Sequence, residues 1–415
     1  MPEQRWFRVI SVAFIMYTIA FIDRTNISLA LPSMIRDLHL TPTEAGNATG
    51  VFFWGYLVLQ IPGGYLAEHW SAKRFVSILL AAWGLCAILT AFVRTGEGFW
   101  WMRLLLGVAE GGVWPAVLIL LSHWFPSRER ARANAYWMLC LPVAVVLSSP
   151  LSGWILARWD WRVLLVVEGL FPIIWLLVWW SFIDDTPREA GWISPEEREY
   201  LERTLAREKT EMRPAAHEPY LRALLRPQVL LMVAIYFLVN CGNYGYLFWL
   251  PSALEHARKL GSIQVGFLFA IPFAITAVGM VLISKHSDKN HERRKHVAFG
   301  MAWGGVFLMA SVLTSGTTPS LSFILIAVVG AGSYGMLGPF WAIPTETLPE
   351  SVAGSAMGLV NALGNLGGFF GPLAVGYFEQ RTGGFVFPFA LLSVGYLAGA
   401  ALAFFFLPHR KPKIA

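Results

Sequence analysis

Charged side chains are scarce in this sequence. Only 14% of its 415 residues are Asp, Glu, Lys or Arg, whereas 56% are hydrophobic. Soluble globular proteins contain about 25% charged and about 45–50% apolar residues. A chain of this length could not bury so much apolar surface in water, so the composition excludes a water-soluble globular protein. It predicts a protein whose outer surface faces lipid.

Cysteine is also rare, and the usual enzyme motifs are missing. The three cysteines, Cys86, Cys140 and Cys241, lie inside apolar stretches, which argues against a disulfide framework and against a cysteine metal site. No HExxH or GxSxG motif occurs. We therefore expect no metal, no cofactor and no enzymatic activity.

Long apolar runs are what the sequence has instead. A bilayer crossing by a helix needs about 20 apolar residues. The runs of this kind cover residues 9–31, 46–67, 75–93, 99–121, 135–157, 163–183, 228–252, 262–283, 297–314, 320–344, 352–376 and 384–407. The sequence therefore predicts an all-α polytopic membrane protein with 12 transmembrane helices.

A polar gap divides these runs six and six. We predict an N-terminal six-helix bundle at residues 1–183, a cytoplasmic linker at 184–227 and a C-terminal six-helix bundle at 228–415. Within the linker, Ser194 as N-cap, Pro195 at the first helical position and Glu197 closing a capping box predict a helix. Two pseudo-symmetric bundles are typical of transporters that bind substrate between their halves.

The basic residues predict the orientation in the membrane. With both termini inside, 23 of the 32 Lys and Arg residues fall on the cytoplasmic side. We expect a multi-pass protein of the inner (cytoplasmic) membrane, with cytoplasmic termini. Topology then accounts for the net charge of +6, so we expect the lipid bilayer as a partner and no nucleic acid. We expect a monomer.

Charged residues inside the predicted spans are the candidates for function. A charge at a helix centre costs about 2.5–3.5 kcal/mol on insertion scales, so such residues face the bundle interior and are paired or functional. All of them lie in the N-terminal half: Asp23, Arg24, Arg103, Glu110 and Glu168. The C-terminal half offers neutral polar groups instead: Asn240, Asn243, Tyr244, Asn361 and Asn365.

The spacing of these charges suggests how they pair. Arg103 and Glu110 are two turns apart, about 10.5 Å along one helix face, so they form either a proton-coupling pair or a static pair that orders the helices. Asp23 and Arg24 point about 100° apart and need separate partners. Glu168, near the outer end of its span, is expected to be wetted and structural. For Asn365, an interhelical hydrogen bond and ligand contact remain equal alternatives.

Several motifs together resemble one known family. They are Asp23-Arg24-Thr25-Asn26, Gly55-Tyr56 with Gln60 and Pro62-Gly63, Arg103 with Gly107 and Glu110-Gly111, and Asp185-Thr186-Pro187 with Trp192 and Glu197-Arg198. In this combination the chain is similar to the major facilitator superfamily, and within it to the anion:cation symporter family. The resemblance covers nearly the whole chain.

The resemblance implies roles for single residues. Asp23 and Glu110 would carry the coupling protons, Arg24 and Tyr56 would bind polar groups of the substrate, and Arg103 would couple to Glu110. Trp341 and Asn361 would complete the pocket from the C-terminal half. We add Tyr244 and Asn365 to the substrate-binding candidates, because they are polar groups inside apolar spans.

Two short loops are candidates for gating contacts. The loop after the second span carries Glu68 and Arg74, and the loop after the eighth span carries Asp288. The alternative is that both are ordinary positive-inside loops. Glu68 and Ser71 also depart from the Asp and Gly that are usual in the family.

The resulting hypothesis is a secondary active transporter that imports a small organic anion, a carboxylate, with protons by alternating access. The alternatives are an anion exchanger or exporter of the same fold, or a membrane solute sensor that does not transport. Residues 139–143 lack the glutamine that sugar-acid carriers of the family tend to have. This favours hydroxy-dicarboxylates or aromatic acids over sugar acids, although none of the three is excluded.

Overall fold

The computed structural model describes residues 4–211, 225–258, 260–348 and 350–408, and all regular secondary structure in these ranges is helical. A short π-helix, Trp6–Ile10, leads into the first helix. The helices up to the linker are α1 (Ser11–Asp37), α2 (Pro42–Gly50), α3 (Phe52–Val58), α4 (Gln60–Leu66), α5 (Ala72–Thr90), α6 (Gly96–Gly111), α7 (Val113–Trp124), α8 (Ser127–Met138), α9 (Cys140–Arg158), α10 (Trp161–Phe182) and α11 (Pro195–Glu211).

The helices after the linker continue the same pattern. They are α12 (Pro227–Arg258), α13 (Ser262–Asn290), α14 (Arg294–Thr314), α15 (Pro319–Ala327), α16 (Val329–Ser333), α17 (Leu337–Thr347), α18 (Glu350–Gly364), α19 (Gly367–Thr382) and α20 (Val386–Phe406). Several of these short helices follow one another almost without a break, because buried Gly and Pro residues bend a membrane-spanning helix without ending it.

Eleven helical stretches in the described ranges are long and apolar enough to cross a membrane, and one of them does so twice. The stretch Pro42–Thr90 has 49 residues, about 70 Å of helix, whereas the hydrocarbon core is about 30 Å thick. Its backbone is extended at Ser71, with ψ 122°, and the Ser71 side chain caps α5 by accepting a hydrogen bond from the Arg74 backbone. The all-α membrane-spanning fold predicted from the sequence is therefore confirmed.

The linker helix is held against the first half of the chain by ion pairs, among them one with Arg5. As predicted, α11 begins at Pro195 and the Ser194 hydroxyl accepts a hydrogen bond from the Glu197 backbone, 3.3 Å away. The Glu197 carboxylate does not close a capping box, so that detail of the prediction was wrong. It pairs with Arg5, which also donates to Glu129 at 2.7 Å, because a carboxylate binds a cation more strongly than a neutral amide.

At one end of the bundle, the two halves of the chain touch backbone to backbone. We call this the distal end, the end at which α1 finishes at Asp37 and α2 starts at Pro42. A Cβ atom added at Gly46 would lie 2.5 Å from the Pro372 carbonyl oxygen, and one at Gly376 would lie 2.1 Å from the Pro42 carbonyl oxygen. Only glycine allows this approach.

A second close contact joins the halves at the same end, between α9 and α13. A Cβ atom at Gly153 would lie 2.6 Å from the Ser262 carbonyl oxygen, and one at Gly266 would lie 2.5 Å from that of Ser149. We call the two contacts together the distal seam: Gly46 and Gly376 on one side, Gly153 and Gly266 on the other. The seam closes the distal end in this structure.

We expect Gly46→Leu to open the distal seam. The added side chain meets backbone atoms, which cannot rotate away as a side chain could, and overpacking of this kind costs about 1–3 kcal/mol. Thr43 and Gln380 lie within hydrogen-bond distance across the seam, so a short bifunctional maleimide should join cysteines at these two positions when the seam is closed. The measurement is the yield of the cross-linked product, with Cys86, Cys140 and Cys241 replaced by alanine.

Gly46→Leu should lower this yield about tenfold, which corresponds to about 1.4 kcal/mol. Gly395→Leu is the matched control, because a Cβ atom at this helical glycine has no neighbour within 4 Å. An unchanged yield in Gly46→Leu would show that the seam tolerates side chains and is not a tight closure.

Candidate functional site

A cavity lies between the two halves, in the middle of the helix bundle. Its wall includes the predicted substrate-binding residues Arg24, Tyr56, Tyr244, Trp341, Asn361 and Asn365. Arg103, the seventh predicted substrate residue, does not line it. The wall also contains side chains that were not predicted to bind substrate: Tyr17, Tyr236, Asn240, Asn243 and Tyr334. The site is thus built from both halves, and Arg24 on α1 is the one Lys or Arg among the lining residues in the described part of the chain.

Glycines in α3 and α6 bring the polar residues of the first half together. A Cβ atom at Gly107 would lie 2.0 Å from the Phe52 carbonyl oxygen, and one at Gly111 would lie 2.3 Å from that of Tyr56. The two backbones therefore run in direct contact, which places Tyr56 of α3 beside the Glu110 turn of α6. Glu110 is 1% exposed.

The buried acid Glu110 pairs with Arg24 across two helices. The Arg24 Nη2 atom donates to the Glu110 Oε2 atom at 3.0 Å, and both side chains are buried. The Arg24 guanidinium also lies 4.9 Å from the Phe52 ring centre and 4.8 Å from that of Tyr56. Cation–π contact of this kind holds the cation in place in a buried site. The Glu110 Oε1 atom has no hydrogen-bond partner.

Arg103 is not the ion-pair partner of Glu110 in this structure. Its guanidinium lies 5.0 Å from the centre of the Phe52 ring, and its Nε and Nη2 atoms are buried without a hydrogen-bond partner. Arg103 and Glu110 stand two turns apart on α6, whereas α1 carries Arg24 directly to the carboxylate. The predicted pairing within one helix is therefore replaced by a pairing between helices.

Asp23 lies on α1 next to Arg24 in sequence but has a different environment. Its Oδ2 atom accepts a hydrogen bond from the Trp83 indole nitrogen of α5 at 2.7 Å, and its Oδ1 atom has no partner. Asp23 is 2% exposed and does not line the cavity. The two neighbours have separate partners, as their angular separation on the helix predicts.

Side-chain amides form a hydrogen-bonded row that crosses from one half to the other, and its members Asn240, Asn361 and Asn365 line the cavity. Gln60 donates to the Gly111 carbonyl at 2.9 Å, Asn361 donates to Gln60 at 2.9 Å, and Asn365 donates to Asn361 at 3.0 Å. Asn240 of α12 donates to the Gly364 carbonyl at 3.2 Å. We call Gln60, Asn361, Asn365 and Asn240 the amide row.

The gating candidates are not brought together. Glu68 and Arg74 are exposed, and within the described ranges no hydrogen bond or ion pair involves either side chain. Asp288 pairs with Arg293 at 2.5 Å, and Arg293 also pairs with Glu346 at 3.0 Å. In the first loop the contact is made by Asp185 instead, which accepts hydrogen bonds from the Ser71 hydroxyl and the Lys73 backbone.

Asn240, Asn361 and Asn365 of the amide row were noted from the sequence, whereas Gln60 and Trp83, the tryptophan that binds Asp23, were not singled out. Gln60 stands inside a quoted motif, so its polarity in an apolar run was a usable signal. Its bond to Asn361 joins residues 301 positions apart, a pairing that one sequence does not reveal. Trp83 gave no signal, because a tryptophan in a membrane span is an ordinary apolar residue.

A match to one protein-family model identifies the family of this chain. The sequence model of the Major Facilitator Superfamily matches residues 13–372, which is most of the chain. The chain belongs to the Major Facilitator Superfamily. It is therefore a membrane transporter and not an enzyme, as the sequence motifs predicted.

Relatives of this superfamily member carry the names of organic-acid and drug transporters. A "Putative tartrate transporter" of Agrobacterium vitis is 32% identical and covers 98% of this chain and 91% of its own length. A "Quinolone resistance transporter" of Acinetobacter baumannii is 29% identical over 96% and 93%. A "Probable galactarate/D-glucarate transporter" of Bacillus subtilis is 28% identical over 97% and 91%.

Solved structures agree in fold. A bacterial homolog of the human lysosomal transporter Spinster, in an inward-facing and occupied conformation, has a TM-score of 0.80 at 16% identity and covers 99% of this chain and all of its own. The xylose transporter of Escherichia coli in its inward open conformation has a TM-score of 0.77 at 15% identity and covers 98% of both chains. At this identity the likeness concerns the fold alone.

Proposed function

We propose that this superfamily member is a symporter that imports a small organic anion together with protons by alternating access. The observation that carries the proposal is the ion pair between Arg24 and Glu110. Arg24 lines the cavity. Glu110 does not line the cavity, but it forms an ion pair with the Arg24 guanidinium. An anion that enters the cavity therefore competes with Glu110 for the same guanidinium.

This competition couples the anion to a proton. When a substrate carboxylate binds Arg24, Glu110 loses its closest cation, and a buried carboxylate without a cation is costly. Glu110 then takes up a proton on its unpaired Oε1 atom, so that the loaded carrier holds one anion and one more proton. Release of the anion returns Arg24 to Glu110 and expels the proton. Asp23, the other buried acid near the site, is proposed as a second proton carrier.

The wall of the cavity favours a hydroxylated carboxylate. Arg24 is the one Lys or Arg residue among the lining residues that the structure describes, and its fork fits one carboxylate group. The side-chain amides of Asn240, Asn361 and Asn365 and the hydroxyls of Tyr56 and Tyr244, all of which line the cavity, can donate to and accept from substrate hydroxyl groups. Tartrate and galactarate, the substrates named for the relatives, match this wall through their hydroxyl groups, and their second carboxylate would accept hydrogen bonds from its amide and tyrosine donors. Aromatic acids would use only part of it.

Uptake by purified protein in vesicles tests the proposed function. The substrates are labelled tartrate, galactarate and benzoate, each with and without an inward proton gradient. We expect gradient-driven accumulation of a hydroxylated acid, with proton entry upon its addition. Exchange without proton entry would show an exchanger or exporter, and binding without any flux would show a sensor; either result contradicts the proposal.

We also propose that the protein is a monomer in the inner membrane. Both termini and residues 184–227 would lie in the cytoplasm, as the distribution of basic residues predicts. A cysteine-directed label at position 203 in α11 should react only from the cytoplasmic side of sealed cells. A second label at the C-terminus tests the other end, although residues 409–415 lie outside the described ranges. A label at position 94, in the loop between α5 and α6, should react from the outside. The opposite pattern would invert the topology.

A further inference from the structure

A third buried acid, Glu168, lies in the first half of the chain and has no role in the site described above. It stands on α10, two turns from the distal start of that helix at Trp161. From the sequence, Glu168 was expected to be wetted near the membrane surface. That expectation was wrong, because Glu168 is 0% exposed. The surrounding helices α1, α5 and α9 cover it from all sides.

The carboxyl group of Glu168 has one hydrogen bond and one open atom. The Ser152 hydroxyl of α9 donates to its Oε1 atom at 2.6 Å. Its Oε2 atom is buried without a hydrogen-bond partner, and no ion pair to Glu168 exists among the described residues. A carboxylate in this position would be an uncompensated buried charge, whereas a carboxylic acid could carry its proton on Oε2.

Among the helices packed around Glu168, α1 carries another buried acid, Asp23. From α1 come Asp23 and Asn26, both of which are buried. From α9 comes Ser152, and the one charged residue of that helix is Arg158 at its distal end. On α5, Ala87 and Ile88 contact Gly169 of α10. The charged residues of α5, Lys73 and Arg74, lie in its first turn, at the opposite end of that helix. Within α10, Arg162 is bound to Asp37.

Two acids with open oxygen atoms therefore lie near each other. Asp23 Oδ1, like Glu168 Oε2, is buried without a hydrogen-bond partner among the described residues, and the helices that carry the two acids, α1 and α10, pack against each other. Two carboxylates in such a region do not both stay charged. One proton shared between them removes the conflict.

Ser152 connects this pair of acids to the distal seam. It is the neighbour in sequence of Gly153, whose added Cβ atom would lie 3.1 Å from the Gly266 Cα atom of the other half. Ser148, Ser149 and Ser152 are all buried along this part of α9. Separation of α9 from α13 would expose this part of α9 to water, one residue away from Ser152 and its partner Glu168.

We propose that Glu168 is a further proton-carrying residue, which takes protons from water at the opened distal seam and passes them to Asp23. In the transfer, the O–H bond at Glu168 breaks and a new O–H bond forms at Asp23, so the negative charge moves from Asp23 to Glu168. Water at the distal end then protonates Glu168 again. The proposal rests on the proposed proton coupling, because it gives the protons of that cycle an entry route.

Infrared difference spectroscopy over a pH series tests the proposal without any substrate. The protein is held in lipid nanodiscs, and the carbonyl stretch of protonated carboxylic acids is recorded. Glu168→Gln should lose one of the wild-type bands, and Ser152→Ala should move the same band to higher wavenumber, because its carbonyl oxygen loses a hydrogen bond. Ser149→Ala is the control, since its hydroxyl bonds only the Val145 carbonyl of its own helix, and it should change nothing.

A Glu168→Gln spectrum that retains all wild-type bands overturns the proposal. So does a band that stays in place in Ser152→Ala, and this variant decides the matter if Glu168→Gln fails to fold by circular dichroism and gel filtration. The result is independent of uptake assays: if wild-type protein accumulates no anion in response to a proton gradient, the proposed function fails, while the infrared bands still report whether Glu168 carries a proton.

Discussion

Glu110→Gln is expected to abolish gradient-driven accumulation of the anion while leaving exchange across the membrane intact. Glutamine has the shape of a protonated glutamate but cannot release a proton. A gradient can drive uphill movement only if a group takes up and gives off protons in the cycle. The accumulation ratio should therefore fall to equilibrium with the outside concentration.

Binding should survive in this variant, because Arg24 loses its competitor and remains available to the substrate carboxylate. Affinity is expected to be equal to that of the wild type or higher. The measurement compares counterflow exchange with gradient-driven uptake in the same vesicles. Glu97→Gln is the matched control, an exposed acid in the first turn of the same helix, and it should behave as wild type. Normal accumulation by Glu110→Gln would remove its coupling role and leave Asp23 as the main candidate.

Arg24→Lys should weaken anion binding by about 10- to 100-fold, although the positive charge is kept. A guanidinium forms two parallel hydrogen bonds to a carboxylate and lies flat on aromatic rings, whereas an ammonium is a point charge. The variant loses both the two-point contact and the position between Phe52 and Tyr56. A hydrogen bond to a charged group contributes about 1.5–3 kcal/mol, which sets the size of the expected effect.

Thermal stabilisation by increasing substrate concentration measures this affinity, because a ligand that binds only the folded protein raises its stability in proportion to the logarithm of its concentration. The control is Arg94→Lys, an exposed arginine in the loop after α5. Equal stabilisation of Arg24→Lys and wild type by the same substrate would place the anion somewhere other than at Arg24.

The fold was predictable because its signal lies in length and apolarity alone. A helix must satisfy its own backbone in lipid, so every long apolar run becomes a helix. Hydropathy does not show where one helix continues into the next. The stretch Pro42–Thr90 stays helical through a π-helix at Ala67–Ser71 and turns only at Ser71. That turn depends on the contact of Ser71 with Asp185, which is far away in sequence.

The membership of the site was more predictable than its pairings. Arg24, Glu110 and Asp23 stand out because charge is costly in a membrane, and the structure buries all of them. The choice between Arg24 and Arg103 as partner of Glu110 depends on how α1 crosses α6, which the geometry of a single helix cannot give. Glu168 was misjudged for a similar reason: its distance from the helix end was known, but the cover provided by α1, α5 and α9 was not.

The glycine contacts of the distal seam have a consequence for leakage. Where a Cβ atom at Gly376 would approach the Pro42 carbonyl to 2.1 Å, no space remains for a water molecule between the two helices. A proton cannot cross such a seal along a water wire. Protons must instead be carried by the acidic residues of the transport cycle. The glycines that let the helices meet therefore also prevent proton leakage that is not coupled to transport.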